Sequence, residues 1–193
     1  MDNKYQKIQE LAVEILKRVV RKDYILHTLT VTKAMEMLIE KEGGEPDILI
    51  PVALCHDLGW RDVPEELQMP NLSKEDYRKS IEQHLVKNPP VTQEVLEKAG
   101  YSQSKIDHII KIILAHKFAD PNTLDLEQKM LIDADTLSDV FKEQFYSDAK
   151  AYKRTPEEML EFRGKNTYFT KTANKIFNRE LEERRREIKL VKK

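Results

Sequence analysis

Four short stretches of the sequence carry side chains that could bind one metal ion together. In chain order they contain His27, the adjacent pair His56 and Asp57, His116, and Asp135. Each residue lies in an apolar stretch, where an imidazole or a carboxylate is costly to bury without a partner. Imidazole nitrogens and carboxylate oxygens are ligands of divalent metal ions. The sequence therefore predicts a metal site, and it indicates hydrolytic chemistry.

Each of these residues also has an ordinary structural interpretation when it is taken alone. A single inward-facing histidine such as His27 is more often a hydrogen-bonded core residue than a metal ligand. The His56-Asp57 pair could end a helix with a solvated carboxylate, and Asp135 could be a polar residue at a helix contact. Taken together, these interpretations require several independent buried polar groups, each with its own partner. A shared ion is therefore the favoured explanation.

Helices must position these residues. Glycine is scarce, with five residues, and no run rich in Val, Ile and Thr alternates with a period of two. His27 lies four residues before Val31 and eight before Met35, which places it on an apolar helix face. We expect an all-α fold in which one helical domain covers residues 1–193. The metal-site core should span about residues 22–140, and further helices should span about residues 141–193.

Capping and breaking residues predict where the helices begin and end. The expected helices cover roughly 4–21, 25–42, 46–58, 73–87, 92–99, 102–117, 126–152 (one bent helix or two), a short helix from Thr155 and 170–190. Residues 60–72 are expected to form a long loop. Asn88-Pro89-Pro90 should end the helix that begins after Ser73, because proline cannot continue the hydrogen-bond ladder.

Composition restricts the classes of partner and compartment. The net charge is −1, so no overall field favours nucleic acid or an anionic membrane. The single cysteine, Cys55, excludes an internal disulfide framework. The first residues contain no apolar segment of the signal-peptide kind, and no apolar run approaches transmembrane length. We expect a cytoplasmic protein without a nucleic-acid or membrane partner, and the oligomeric state stays open.

Local strings around these residues resemble the HD superfamily of metal-dependent phosphohydrolases. The string ALCHDLG at 53–59 is similar to the central ALLHDLG string of that family, and ADTL at 134–137 is similar to its ADRL string. The stretches HTLTV at 27–31 and ILAH at 113–116 resemble its first and third helix motifs. The resemblance covers about residues 22–140. It implies the helical bundle of the HD domain, and it selects Asp135 over its neighbours Asp133 and Asp139.

The resemblance also implies a set of metal ligands. His27, His56, Asp57 and Asp135 would hold the principal divalent ion, whose identity among Mn, Fe, Co, Ni, Mg and Zn stays open. His84 would join a second ion or contact phosphate, although it could equally be a surface residue. A break at residues 88–90 would let the end of its helix tilt away from the site, which favours a single tightly held ion.

The implied activity is hydrolysis of a phosphoester or phosphoanhydride by a metal-activated water. The substrate would be a small nucleotide or a related phosphate compound. Asp57 would orient the water or accept its proton. His116 would contact a second metal or phosphate, and the cations Arg61 and Lys117 are candidates for phosphate binding.

Two other functions remain open at this stage. Some HD proteins with the same pattern of histidine and aspartate are di-iron oxygenases, which should retain iron and consume oxygen. A non-catalytic metal-binding HD module is the other alternative. The presence of His27, His56, Asp57 and Asp135 together argues against it, because a degenerate site usually loses a ligand.

Overall fold

The computed structural model describes residues 3–69 and 72–191. In these residues all regular structure is helical and no strand occurs, which confirms the predicted all-α class. The α-helices are α1 Asn3–Leu16, α2 Asp23–Glu42, α3 Pro46–Cys55, α4 Lys74–Lys98, α5 Gln103–Leu114, α6 Leu126–Ser138, α7 Lys142–Ala151, α8 Pro156–Arg163 and α9 Lys171–Val191. Short 3-10 helices lie at Leu58–Asp62, Glu65–Leu67 and Pro121–Thr123.

Helix α3 lies at the centre of the fold. Its residues from Ile48 to Cys55 are all buried, as expected for a helix that is apolar on every side. Helices α2, α5 and α6 pack against it, and α2 also packs along α6. The carboxyl end of α3, where His56 and Asp57 follow, therefore opens into the interior of the helical assembly.

Helix α4 differs from the sequence prediction. It runs without interruption through Pro89 and Pro90, so the expected helix end at residues 88–90 is wrong. The buried Asn88 side chain donates to the carbonyl oxygens of Cys55 (2.9 Å) and His56 (2.8 Å). Thr92 Oγ1 in turn donates to Asn88 Oδ1 at 2.7 Å. The Asn88 bonds fasten α4 to the end of α3, and the Thr92–Asn88 bond spans the two prolines within the helix. Together they offset the backbone bonds that proline removes.

Gly59 allows a close approach between α4 and the turn that follows α3. A Cβ atom at this position would lie 2.3 Å from the carbonyl oxygen of His84 and 2.8 Å from the backbone nitrogen of Asn88. Only glycine fits there without displacing the backbone of α4. This contact brings His84 on α4 close to Asp57.

Other boundaries shift by a few residues from the sequence predictions. Helix α1 ends at Leu16 rather than near residue 21, and α5 ends at Leu114 rather than near residue 117. The stretch 126–152 forms two helices, α6 and α7. Within the described ranges, no helix is both long enough and apolar enough to cross a membrane. The assignment of the whole chain to one domain stays a prediction.

Candidate metal centre

Six side chains from five parts of the fold converge beside the carboxyl end of α3. The sequence identified all six as candidates, and the structure brings them together in two groups. Within each group, the potential ligand atoms lie within 4.8 Å of one another. The first group is His27, His56 and Asp135; the second is Asp57, His84 and His116. Both groups have the chemistry of a divalent metal site.

The first group presents imidazole Nε2 atoms and one carboxylate to a common point. His27 Nε2 lies 3.1 Å from Asp135 Oδ1 and 3.4 Å from His56 Nε2. The other ring nitrogen of His56, Nδ1, donates to the carbonyl oxygen of Ala53 at 2.8 Å. With its proton on Nδ1, His56 directs an Nε2 lone pair toward the group, which is the orientation of a metal ligand.

Ser138 orients His27 in the same way. The Ser138 hydroxyl donates its one proton to the carbonyl oxygen of Asp135 at 2.7 Å. Its oxygen lies 3.2 Å from His27 Nδ1, so it accepts the Nδ1–H of that ring. His27 Nε2 is then the atom available to an ion. Sequence reasoning missed Ser138, because a serine within an amphipathic helix gives no signal of this role.

The second group contains buried nitrogens without hydrogen-bond partners. His84 is fully buried, so its interpretation as a surface residue is wrong. Both of its ring nitrogens lack a hydrogen bond, as does His116 Nε2, whereas His116 Nδ1 donates to the carbonyl oxygen of Ile113. Unpaired buried polar atoms are costly, and a bound cation would satisfy them. The residues present therefore fit a divalent ion.

Asp57 belongs to the second group and also borders the first. Its Oδ2 atom is 3.5 Å from the Nε2 atoms of both His27 and His56. Its Oδ1 atom is 3.5 Å from His84 Nε2 and accepts a hydrogen bond from Trp60 Nε1 at 3.2 Å. One carboxylate oxygen thus faces each group. The Trp60 ring also stacks on the His84 ring, with 4.8 Å between centroids, and so fixes the imidazole plane.

The surroundings hold both carboxylates of the site in the ionised form. Burial by itself raises the pKa of Asp57, but the neighbouring histidines, led by His56, outweigh it and lower that pKa. Burial also opposes ionisation of Asp135, and the charge of Lys117 with the hydrogen bond from His27 lowers its pKa well below the usual range. An ionised carboxylate is the form that binds a metal ion.

The histidines divide into two kinds. Burial lowers the pKa of His84 to about 4, and burial with the nearby Lys117 lowers the pKa of His116 well below its usual value. Burial also acts to lower the pKa of His27, but the hydrogen bond and charge of Asp135 outweigh it and raise that pKa to about 9. His84 and His116 are therefore neutral, the form of imidazole that can bind a metal ion, whereas an ion at His27 would displace a proton.

Of the two predicted phosphate-binding cations, only Lys117 reaches the site. Lys117 Nζ lies 2.6 Å from Asp135 Oδ2. Its side chain also lines a cavity, described below, that is bordered by residues of both groups. Arg61 instead pairs with Asp62 at 2.9 Å and Glu94 at 3.5 Å, and it is not among the residues that line this cavity. The structure therefore does not bring Arg61 to the site.

The neighbours of Asp135 have other roles. Asp133 is buried away from the histidines and accepts the backbone N–H groups of Phe169 and Thr170, both at 2.8 Å. Asp139 lines the cavity, where its Oδ2 atom pairs with Arg163 Nη1 at 2.7 Å. Of the three aspartates, Asp135 is the one in contact with His27 and within the first group, as the sequence predicted.

A cavity of about 550 Å³ opens over the metal groups. Its lining includes His27, Asp57, Lys117 and Asp135. Another part of the lining, which we call the C-terminal wall, consists of side chains from α7, α8 and the turn between them: Gln144, Asp148, Tyr152, Arg154, Phe162 and Arg163. Sequence analysis missed this wall, because its residues lie beyond the resemblance and follow no chemical motif.

The family model of the HD domain matches residues 24–140, which is more than half of the chain. This segment contains all six side chains of the two groups and ends before the C-terminal wall. Neither the curated proteins nor the solved structures contain a significant match to the chain. The match agrees with the local strings and with the geometry of the two groups, and on this basis the chain belongs to the HD domain family, a superfamily of metal-dependent phosphohydrolases.

Proposed function

We propose that this protein is a metal-dependent phosphohydrolase that cleaves a phosphoester or phosphoanhydride in a small phosphorylated compound, with nucleotides as the first class to test. The convergence of six potential ligands around buried, unpartnered histidine nitrogens is the observation that carries the proposal. The cavity above them is large enough for a small molecule. The family supports the reaction class.

The residues of the site would have different roles in the proposed hydrolysis. A bound divalent ion would lower the pKa of its water and offset charge on phosphate oxygens. Asp57 is ionised and borders the cavity, so it can orient the attacking water by accepting a hydrogen bond from it. Lys117 remains a cation, because the carboxylates of Asp135 and Asp57 outweigh the effect of burial and raise its pKa. It can donate to a phosphate oxygen.

We propose two ion positions, one at each group. The sequence favoured one ion, because the helix that carries His84 was expected to end at residues 88–90. That reason does not hold, since α4 continues through these residues. The separate oxygens of Asp57 facing each group support the second position. Two metal ions per chain in the wild type, falling to one in His84→Ala, are expected. One per chain in both proteins would refute the second position.

The proposed activity is tested on protein purified without added metal. Elemental analysis identifies the ion, and a panel of nucleotides and other phosphoesters is then incubated with that ion. We expect phosphate or pyrophosphate release that a chelator abolishes and that the same ion restores. Protein that holds its metal yet releases no phosphate from any compound would contradict the phosphohydrolase assignment.

A second candidate function, a di-iron oxygenase, is favoured by one observation. The six potential ligands form two adjacent groups that share the Asp57 carboxylate, an arrangement that suits two transition-metal ions. Iron retained through aerobic purification, visible charge-transfer absorption and substrate-dependent oxygen consumption would support this function. Phosphate release without oxygen consumption would exclude it.

A further inference from the structure

We propose that Arg154, on the C-terminal wall, forms an anion-binding subsite that recognises a second anionic group of the substrate. The proposal rests on the proposed function, since it concerns the part of the substrate that does not react. Arg154 lines the same cavity as Asp57 and Asp135, but it comes from the turn between α7 and α8. It also lies outside residues 24–140, where the HD domain matches. It is therefore a determinant of specificity that this chain adds to the metal site.

The backbone holds Arg154 in a fixed position between two capped helices. At the end of α7, Arg154 N donates to the carbonyl oxygen of Ala149 at 2.9 Å, and Lys153 takes the left-handed conformation with φ 53°. This is the bonding pattern of a helix carboxyl cap. Thr155 and Glu158 then form a capping box that begins α8. A residue held this way loses little further backbone entropy when a ligand binds.

The charges along the cavity single out Arg154. The other cavity-lining cations each have a carboxylate partner: Arg21 with Asp23, Lys117 with Asp135, and Arg163 with Asp139 and Asp148. Among the described residues, no carboxylate pairs with Arg154. Its guanidinium carbon lies 4.1 Å from the centroid of the Phe162 ring, which covers one face of the group. Its N–H edge is available to an anion.

This arrangement suits a phosphate or a carboxylate. A planar guanidinium donates two parallel hydrogen bonds to either group, and stacking on an aromatic ring holds the plane in place. Arg163 stabilises the wall, because its pairs with Asp139 and Asp148 join the end of α6 to α7 and α8. The substrate class is then a compound with a phosphate at the metal groups and a second anionic group at Arg154.

Inorganic phosphate is the probe for the subsite itself. The Mg²⁺-loaded full chain is labelled with ¹⁵N-arginine, and the Arg154 Nε–H signal is assigned from its absence in Arg154→Lys. We expect this signal to shift and saturate as phosphate is added. Arg21, which lines the cavity but is paired with Asp23, and Arg185, which lies outside it, are internal references. No shift at Arg154, or the same shift at all three residues, would overturn the subsite and indicate an adventitious ion only.

Kinetics test whether the substrate uses the subsite. Arg154→Ala and the control Lys150→Ala remove the same charge from nearby positions, and Lys150 is exposed and does not line the cavity. Substrates are compared in pairs that differ by one anionic group, such as a nucleoside 5′-monophosphate and its 3′,5′-bisphosphate. For the doubly anionic member, Arg154→Ala should raise KM by roughly 10- to 100-fold with kcat little changed, as expected for one lost charge-assisted contact.

Comparison of the two substrates and of the two variants decides whether Arg154 recognises the second anionic group. Arg154→Ala should raise KM at least about tenfold more for the doubly anionic substrate than for the singly anionic one, and Lys150→Ala should leave both substrates within about twofold of the wild type. An equal loss for both substrates, or an equal loss in the control, would overturn the role of Arg154 in recognition. A chain that hydrolyses nothing would count against the proposed function alone, because the phosphate titration at Arg154 does not depend on turnover.

Discussion

Two largely buried groups of carboxylates begin four residues apart near the end of α6, at Asp135 and Asp139, and different positive groups surround them. Asp139 and the buried Asp148 share the guanidinium of Arg163, whose Nη1 atom lies 2.7 Å from Asp139. Asp135 and Asp57 instead face histidines, and among the described residues the only lysine that pairs with either carboxylate is Lys117, which contacts Asp135.

The difference shows where the fold needs an external cation. Buried carboxylates are stable only when positive charge and hydrogen bonds replace the lost solvent. At Arg163 the chain provides that charge permanently. At the metal groups it provides imidazoles, of which His84 and His116 are neutral and lack partners for three ring nitrogens. The first cluster therefore has a cation of its own, whereas the second lacks partners for its buried histidine nitrogens until an ion binds.

Of the changes predicted here, removal of Asp57 should have the largest effect on activity and metal content. Asp57→Ala deletes the carboxylate that faces both groups, so phosphohydrolase activity should fall by roughly 10³-fold or more. Metal content should also fall, while the helical signal in circular dichroism stays unchanged. His56→Ala should behave in the same way. Asp107→Ala, which removes an exposed aspartate from α5, is the control and should retain full activity. Most of the activity surviving in Asp57→Ala would contradict the assignment of the site.

Removing Arg163 should affect stability rather than metal binding. Arg163→Met leaves Asp139 and Asp148 buried without their cation, which should lower the free energy of unfolding by about 3–5 kcal/mol. Urea denaturation measures this change. A triple variant with Asp139→Asn and Asp148→Asn in addition should recover part of the loss. Metal stoichiometry should match that of the wild type in both variants. Loss of metal without loss of stability would mean that the two clusters are not separate.

The Ser138→Ala variant tests whether the Ser138 hydroxyl orients the His27 ring for metal binding. Ser138→Ala removes the acceptor for His27 Nδ1–H, so the ring no longer directs Nε2 to the site. Metal affinity should fall by roughly 10- to 100-fold, as measured by calorimetric titration. Ser80→Ala is the matched control, because Ser80 is equally buried, lines the cavity and bonds only to the Tyr77 carbonyl. Equal affinity in the two variants would remove Ser138 from the orientation of His27.

The sequence predicted those parts of the site that depend on local pattern. His27, His56, Asp57 and Asp135 could be identified because each lies in a distinctive string on an apolar helix face. The all-α class followed from helical periodicity. Local pattern was misleading at Pro89 and Pro90, since the side chain that holds α4 together there, Asn88, acts through α3. Such a tertiary bond leaves no trace in neighbouring residues.

The remaining parts depend on partners that are distant in the chain. Burial of His84 required the close contact at Gly59, and exclusion of Arg61 required the carboxylates of Asp62 and Glu94. Arg154 gave no signal, because an arginine between two helices is usually a solvated surface residue. Its position on the cavity depends on how α7 and α8 fold back over the metal groups.

A third carboxylate site, at Asp47, extends the comparison of the two clusters to the surface. Like Asp139, it has its own cations: Lys105 Nζ lies 2.7 Å from it and Lys4 Nζ lies 3.1 Å from it. It is more exposed than Asp139, with 30% of its side chain accessible against 17%. Water and salt therefore screen these pairs, and Asp47→Asn should lower the free energy of unfolding by no more than about 1 kcal/mol.

The pH dependence of the stability difference between the wild type and Asp47→Asn shows whether the charge of Asp47 causes it. Hydrogen bonding from Lys105, followed by Lys4, lowers the pKa of Asp47 from 3.8 to about 2. Because the pKa in the folded state is the lower one, the stabilisation is present above 3.8 and is lost as the pH falls toward 2. The gap between wild type and Asp47→Asn in urea denaturation should therefore be largest at neutral pH and low salt, and it should close on acidification. A gap that widens in acid would mean that Asp47 contributes through packing or a neutral hydrogen bond rather than through its charge.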